Sequence, residues 1–167
     1  MTDPVPRVIG PANGELGWLA SIGVRFLISS EESGGGFSLV EHPMPPKALA
    51  APLHRHTRED EYSFVLEGRV GALLGAHVIE GGPGDLIFKP RDQWHTFWNA
   101  GEEPARILEI ISPSGFERYF REMVELAPDA PPEVRAEIAS RYGLEVDPGT
   151  ISVLVERHGL QWGRAAG

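Results

Sequence analysis

Two histidines separated by a single residue, His54 and His56, are the first side chains in this sequence that could do chemistry together. Alternate residues of a β-strand face the same side, so both imidazoles would point into one space. The polar segment 57–60 suits a turn, and Glu61 opens the next strand-like run, so a chain that folds back there could bring its carboxylate to the two imidazoles. Two imidazoles and a carboxylate are good ligands for a divalent transition metal.

His95 is the candidate for a fourth ligand. It stands near the start of a strand-like run, after a buried-looking segment and a turn led by Pro90. A lone histidine on an apolar strand is more often a hydrogen-bonded core or rim residue than a ligand. Four ligand-type residues in one joint pattern favour a metal site, whereas His42, His77 and His158 fit no such pattern.

The arrangement H-x-H-x4-E-x6-G from His54 to Gly68 is followed by G-x5-P-x4-H-x3-N from Gly84 to Asn99. Together these segments resemble the two motifs of the cupin superfamily, in the same order. The resemblance covers residues 53–111, about a third of the chain. The sequence around the motifs is most similar to small, single-domain quercetin-dioxygenase-like cupins.

The resemblance implies both a fold and a metal site. The fold would be a double-stranded β-helix, the jelly-roll cupin barrel, which makes the core all-β. The ligands carried over by position, which would hold one divalent transition metal per subunit, are His54, His56, Glu61 and His95. Such ligands suit Fe, Mn, Ni, Cu, Co and Zn, so the identity of the metal stays open. Ala48 and Asp92 stand where the motifs often have glycine, which bears on loop shape and not on the ligands.

Strand alternation also predicts which side chains share the interior with the ligands. Four residues share a strand face with a predicted ligand: Phe97 and Asn99 with His95, and Ser63 and Val65 with Glu61. Together with Arg91, from the turn before His95, they are the candidates for a substrate pocket. An interior with few polar groups suits an aromatic or hydrophobic small molecule. The same inward-facing positions would equally suit Val65 and Phe97 as barrel core residues, and both interpretations stay open.

Three imidazoles and one carboxylate leave coordination positions open for water, a substrate or dioxygen. The resemblance implies a metal-dependent, dioxygenase-like oxidoreductase that acts on a small organic substrate, with phenols among the candidates. The implied mechanism has Glu61 or a nearby base deprotonate this substrate. The alternatives are a non-oxidative metal-dependent cupin, such as an isomerase, cyclase or lyase, and a cupin that binds a small ligand without catalysis.

Length, charge and composition narrow the class of protein. The 167 residues suit one domain, and the 41% hydrophobic content is ordinary for a globular chain. A net charge of -9 argues against nucleic acid and against anionic membrane surfaces as partners, since no positive surplus is present. Without cysteine there are neither disulfides nor thiolate ligands. No apolar run approaches a bilayer span, and the segment 1–7 lacks signal-peptide features, so we expect a cytoplasmic protein.

The first two segments of the chain differ in pattern. Residues 1–16, rich in proline and glycine, are predicted to form an N-terminal arm. Residues 17–112 carry strand-like runs separated by Gly and Pro turns, which is typical of a β-sandwich or barrel. Within them, residues 43–47 are predicted to form a connecting loop or a sheet edge, because proline is excluded from central strands.

In residues 113–167 the apolar residues recur at the spacing of α-helices. This segment is predicted to form a C-terminal helical extension, packed on the barrel or on a partner subunit. A capping box at Ser114 and Glu117 predicts the start of the first helix, and two further helices are expected to end at Gly143 and Gly159. Acidic residues in the last two helices argue against a DNA-binding helix-turn-helix. The resemblance implies a homodimer, formed by pairing the 37–42 or 17–27 region across a two-fold axis.

Overall fold

The computed structural model describes residues 5–163, which form eleven β-strands and three α-helices. One sheet has, in pairing order, β1 (Leu16–Leu19), β2 (Ile22–Ile28), β3 (Ser38–Met44), β10 (Ala105–Ser112), β5 (Asp60–Glu67) and β8 (Leu86–Lys89). The other has β11 (Leu144–Asp147), β4 (Leu53–His56), β9 (His95–Asn99), β6 (Val70–Leu74) and β7 (His77–Gly81). The helices are α1 (Glu117–Glu125), α2 (Pro132–Arg141) and α3 (Thr150–His158).

The two sheets are antiparallel throughout and enclose one apolar interior. Buried side chains from both sheets meet there: Ile22, Met44, Val65, Val70, Ala72, Ile87, Phe97 and Ile107. The predicted all-β jelly-roll core with C-terminal helices is therefore confirmed. Residues 1–4 of the predicted arm and 164–167 of the predicted extension lie outside the described residues, and the three predicted segment boundaries stay a prediction.

The segment between β4 and β5 does not form a hairpin. β4 pairs with β9 and β11, whereas β5 pairs with β10 and β8, so residues 57–59 cross from one sheet to the other. Glu61 consequently faces His54 and His56 across the barrel interior. The connection predicted as a turn at 57–60 is a bend over residues 57–59 that joins two sheets and not two neighbouring strands, and Asp60 already belongs to β5.

Pro43 corrects one expectation from the sequence. It lies in β3, opposite Arg106 of β10, in a strand that has neighbours on both sides. The register between β2 and β3 begins only at Arg25 and Glu41, so β3 is unpaired on that side at Pro43, where a missing N–H costs no ladder bond.

The strand predicted at 37–42 for a dimer contact is interior to its sheet. β3 lies between β2 and β10, so it has no free edge for a second chain. The edges of that sheet are β1 and β8, and those of the other are β11 and β7. The homodimer itself stays a prediction, and of the two predicted regions only 17–27 includes an edge strand.

The first helix begins differently from its prediction. Phe116 is the N-cap residue and makes no side-chain capping bond, so the predicted capping box is absent. The carboxylate of Glu117 instead accepts hydrogen bonds from the backbone N–H of Gly115 and of Ser30, at 2.8 and 2.9 Å. Glu117 thereby joins the start of α1 to the loop after β2.

The segment between α2 and α3 contains a strand that the sequence analysis missed. β11 pairs antiparallel with β4, with Leu144 opposite His56 and Val146 opposite His54. This strand separates α2 from α3, so these helices do not form a helix-turn-helix. The C-terminal extension thus supplies the strand that neighbours both histidines. No helix at residues 5–163 has the length and hydropathy that a bilayer crossing requires.

Candidate metal centre

The four residues predicted as ligands meet inside the barrel. One ligand atom from each of them lies within 4.8 Å of the others, and all four side chains are buried: His54, His56, Glu61 and His95. Such a group could hold a metal ion, as in cupins. His54 and His95 are 41 positions apart in the sequence, and the fold brings them together because they pair on neighbouring strands.

The strands account for this convergence. β4 presents two imidazoles on one face because His54 and His56 are two residues apart. β9 places His95 directly opposite His54, and their ring centroids are 4.4 Å apart. From the facing sheet, Oε2 of Glu61 lies 3.2 Å from Nε2 of His95, and Oε1 lies 3.4 Å from Nε2 of His56.

Backbone carbonyls orient two of the imidazoles. Nδ1 of His54 lies 2.8 Å from the carbonyl oxygen of Pro52, and Nδ1 of His95 lies 3.0 Å from that of Gln93. A ring nitrogen that faces a carbonyl oxygen donates its hydrogen, so Nε2 of His54 keeps the lone pair that a metal needs. Both nitrogens of His95 face acceptors, since its Nε2 lies 3.2 Å from Oε2 of Glu61, and a cation bound at this Nε2 would take the place of that contact.

The third imidazole faces a buried carboxylate. Nδ1 of His56 lies 3.7 Å from Oε2 of Glu59, and neither atom has a hydrogen-bond partner among the described residues. The sequence predicts Glu59 as an exposed acid that could also orient a ligand imidazole, and the structure buries it. Glu59 is therefore placed to orient His56 once that imidazole binds a cation.

The charges of the group fit a divalent cation. Burial lowers the pKa of His54 well below its usual value, and the nearby imidazoles of His95 and His56 add to this effect. Burial likewise lowers the pKa of His95. Burial alone would raise the pKa of Glu61, but His56, Lys89 and His95 outweigh it, so this pKa is held well below the usual range. A neutral His54 and His95 beside an ionised Glu61 are in the protonation states that metal binding needs.

A buried ion network, not predicted from the sequence, lies behind Glu61. Nζ of Lys89 lies 3.0 Å from Oε2 of Glu61 and 3.0 Å from Oε2 of Glu109, and Ser63 donates to the same Glu109 oxygen at 2.8 Å. The other oxygen, Oε1 of Glu109, has no hydrogen-bond partner among residues 5–163. The sequence did contain a sign of this network. Lys89 and Glu109 stand at alternating, inward-facing strand positions whose other residues are apolar.

A cavity of about 590 Å³ connects the metal group with the C-terminal helices. Its barrel wall includes six side chains: Ile22, His42, His54, His56, Glu61 and Glu109. Its helical wall is formed by Phe116 and one face of each of the first two helices: Tyr119, Phe120 and Met123 from α1, and Pro132, Arg135, Ala136 and Ala139 from α2. This volume lies in the range of small-molecule sites, and the lining is mostly apolar.

The predicted pocket residues of the barrel strands lie at different depths. Phe97 is part of the cavity lining, and Nζ of Lys89 lies 4.5 Å from its ring centroid. Val65 is fully buried among the apolar side chains between the sheets. Ser63 is buried and bonded to Glu109, outside the lining.

The other two predicted pocket residues also lie outside the lining. The side-chain amide of Asn99 donates to the carbonyls of Met44, Pro45 and Glu103, and so braces the loop next to β9. Arg91 is ion-paired with Asp60 at 2.8 Å near the surface. Both contacts give these side chains structural partners.

Comparisons with known proteins were consistent with the geometry. Residues 41–111 match the family model described as Cupin domain. No curated protein matches the sequence. Among solved structures, a predicted oxalate decarboxylase from Thermotoga maritima is 18% identical with a TM-score of 0.60, over 64% of this chain and 99% of that one. KdgF from Halomonas sp. is 16% identical with a TM-score of 0.60, over 68% and 99%.

A third similar structure has a somewhat higher sequence identity. The polyketide cyclase RemF from Streptomyces resistomycificus is 26% identical with a TM-score of 0.58, over 66% of this chain and 81% of that one. The domain match and these structures support the cupin superfamily for this chain. The quercetin-dioxygenase-like subtype stays a prediction.

Proposed function

We propose that this chain, with its cupin domain and cupin fold, is a metal-dependent enzyme that acts on a small, largely apolar organic molecule. The observation that supports this most directly is that His54, His56 and Glu61 lie on the wall of the same 590 Å³ cavity. A structural metal site is closed by its ligands, whereas a catalytic site keeps a side open to substrate. Ligands that face a cavity of this size belong to the second kind.

A divalent metal at this group would supply a Lewis-acidic centre that binds and acidifies an oxygen group of the substrate. The chain's own residues would divide the remaining tasks. Glu61 keeps its negative charge because Lys89 and the imidazoles stabilise it. Phe97 and the helical wall give the cavity a mostly apolar lining for the substrate.

A proton released by the substrate needs an acceptor. Glu61 is the base predicted from the sequence, and it lies on the cavity wall. Glu109 lies on the same wall and has an oxygen, Oε1, without a hydrogen-bond partner among the described residues. Burial raises the pKa of Glu109, with Lys89 acting in the opposite direction, which makes it the better proton acceptor of the two.

Two reactions are compatible with this first step. The first is oxidation of a phenolic substrate by dioxygen, the activity expected from the sequence motifs. The second is a non-oxidative reaction such as cyclisation, and the similarity to the polyketide cyclase RemF favours it. Consumption of dioxygen distinguishes them.

Metal content and dioxygen uptake test the proposal. We expect about one equivalent of metal in the parent protein and in His77→Ala, whose ring is exposed, and none in His54→Ala/His95→Ala. Uptake of dioxygen with catechols or flavonols would establish the oxidative reaction, and substrate loss without uptake the non-oxidative one. Metal without turnover of any phenolic or polyketide-like compound would indicate a binding protein. Failure to bind metal under every loading condition would overturn the site.

A further inference from the structure

Two polar side chains interrupt the apolar helical wall of the cavity. Tyr119 comes from α1 and Arg135 from α2, and both are part of the cavity lining. Tyr119 packs against a buried apolar cluster that includes Phe116, Phe120 and Ala139. Both side chains are half-buried, so each is accessible from the cavity.

Arg135 stands apart from the other basic residues of the chain. Most described lysines and arginines make an ion pair with a carboxylate, but Arg58, Arg135 and Arg157 make none among residues 5–163. Of these three, only Arg135 lines the cavity. In a protein with a net charge of -9, carboxylates are abundant, so an unpaired arginine on a cavity wall is a notable exception.

Arg135 does have one structural role. Its Nη2 donates to the carbonyl oxygens of Ala127 and Pro128, at 3.2 and 3.0 Å, and so holds the loop between α1 and α2. A guanidinium has five N–H donors in a fixed plane, and these two bonds use one nitrogen. The bonds fix the position of the side chain and leave the other nitrogens available to a ligand.

Tyr119 supplies a second donor beside this cation. Its hydroxyl makes no hydrogen bond within the described part of the chain, while its ring packs on Phe116 with 4.9 Å between centroids. Burial raises the pKa of Tyr119 to about 12, and the charge of Arg135 acts against this rise. The hydroxyl is therefore protonated at neutral pH and can donate to an anion.

We propose that Arg135 and Tyr119 form an anion-binding subsite on the helical wall, so that the cavity takes an apolar molecule carrying a carboxylate, sulfonate or phenolate group. The two residues come from different helices and offer donors of the kind that bind oxyanions. The statement that this molecule is the substrate rests on the proposed function, whereas the subsite itself does not. An acidic group held at the helical wall would leave the rest of the molecule directed along the apolar cavity, whose barrel wall carries the metal group.

A matched pair of fluorescent probes tests the subsite. 8-Anilinonaphthalene-1-sulfonate and N-phenyl-1-naphthylamine share the same apolar rings and differ only in the sulfonate. Both are titrated into protein kept in a chelator, so that metal plays no part. We expect Arg135→Met to lower the affinity for the sulfonate probe by about tenfold and to change the affinity for the neutral probe by less than about twofold. Tyr119→Phe should lower the affinity for the sulfonate probe by roughly threefold.

Two variants serve as controls. Arg157→Met removes the same charge from an exposed position of α3, and Arg135→Lys keeps a cation at the subsite. The first should bind both probes as the parent does, and the second should retain most of the affinity for the sulfonate. The proposal is overturned if neither probe binds, if Arg135→Met leaves sulfonate binding unchanged, or if it weakens both probes equally. Because the titration needs neither metal nor turnover, its outcome is independent of the test of the proposed enzyme.

Discussion

Nζ of Lys89 lies 3.0 Å from Oε2 of Glu61, so the carboxylate among the candidate metal ligands has a buried cation beside it. The same ammonium group is shared with Glu109, and burial of all three side chains is nearly complete. The negative charge of Glu61 is thus stabilised before any metal binds. This arrangement makes the interior of the barrel a network of charges and not only a set of ligands.

Lys89→Met should destabilise the metal-free protein strongly. The substitution keeps an apolar side chain of similar length but leaves the buried carboxylates of Glu61 and Glu109 without their cation. We expect a loss of about 3 kcal/mol or more in the free energy of unfolding, measured by urea titration in a chelator. Lys47→Met is the matched control, since Lys47 pairs with the exposed Glu102 and should cost less than about 1 kcal/mol. Equal losses in the two variants would contradict this account.

The ligand group and most strands could be predicted because both depend on local periodicity. A spacing of two residues puts His54 and His56 on one face of a strand, whatever the surroundings. The strand-like runs between Gly and Pro turns follow the same rule, and the structure forms ten strands between Leu16 and Ser112. The meeting of His95 with these histidines came from the family resemblance, since sequence spacing alone does not bring two distant strands together.

Other features depend on contacts distant in sequence and could not be predicted. β11 is a four-residue segment with two acids, and only its pairing with β4 makes it a strand. The apolar faces of α1 and α2 are periodic in the way that core-facing helices are, so the sequence does not show that part of each face borders a cavity. For the same reason the sequence does not show that Tyr119 and Arg135 line a cavity.

Glu59→Ala should weaken metal binding without removing a ligand. Its Oε2 lies 3.7 Å from Nδ1 of His56, and both atoms are buried without other partners among the described residues. Loss of an orienting carboxylate behind a histidine ligand typically lowers metal affinity by roughly tenfold or more. Competition with a chromogenic chelator for Zn²⁺ measures this change. Glu145→Ala removes an exposed carboxylate from the strand beside β4 and should leave the affinity within about twofold, as expected for a charge at the surface.

His42 should make the stability of the protein depend on pH. It is buried, its Nδ1 donates to the carbonyl of Gly23 at 2.8 Å, and burial lowers its pKa from 6.5 to about 4. Between these two values the unfolded chain binds a proton that the folded protein does not, so stability is full above about pH 6.5 and falls as the pH is lowered. We expect His42 alone to lower the free energy of unfolding by about 2 kcal/mol between pH 7 and pH 5.

Comparison of variants isolates the contribution of His42. His42→Gln removes the titrating ring and keeps a donor for the Gly23 carbonyl, so its unfolding free energy should fall less between pH 7 and pH 5 than that of the parent. His77→Gln changes an exposed ring and should follow the parent. Unfolding is measured in urea with a chelator present at both pH values. An identical pH dependence in the parent and in His42→Gln would rule out this role for His42.

Gly143→Ala should affect both stability and metal binding, because Gly143 connects α2 to β11, the strand beside His54 and His56. Its φ is +68°, and a Cβ there would lie 2.5 Å from Oγ1 of Thr57. Left-handed backbone alone costs a non-glycine residue roughly 1 kcal/mol, and the contact with Thr57 adds to that cost by pushing β11 away from β4. We therefore expect a loss of about 2 kcal/mol or more and a weaker affinity for Zn²⁺.

Gly159→Ala separates the backbone effect from the contact. Gly159 also has a positive φ, +63°, but a Cβ added there meets no atom within 4 Å. This variant should lose only about 1 kcal/mol and should bind Zn²⁺ as the parent does. Urea unfolding and chelator competition on the two variants provide both readouts. If Gly143→Ala loses stability but keeps its affinity for Zn²⁺, the pairing of β11 with β4 does not position the histidines; if the two variants behave alike, the contact with Thr57 is unimportant.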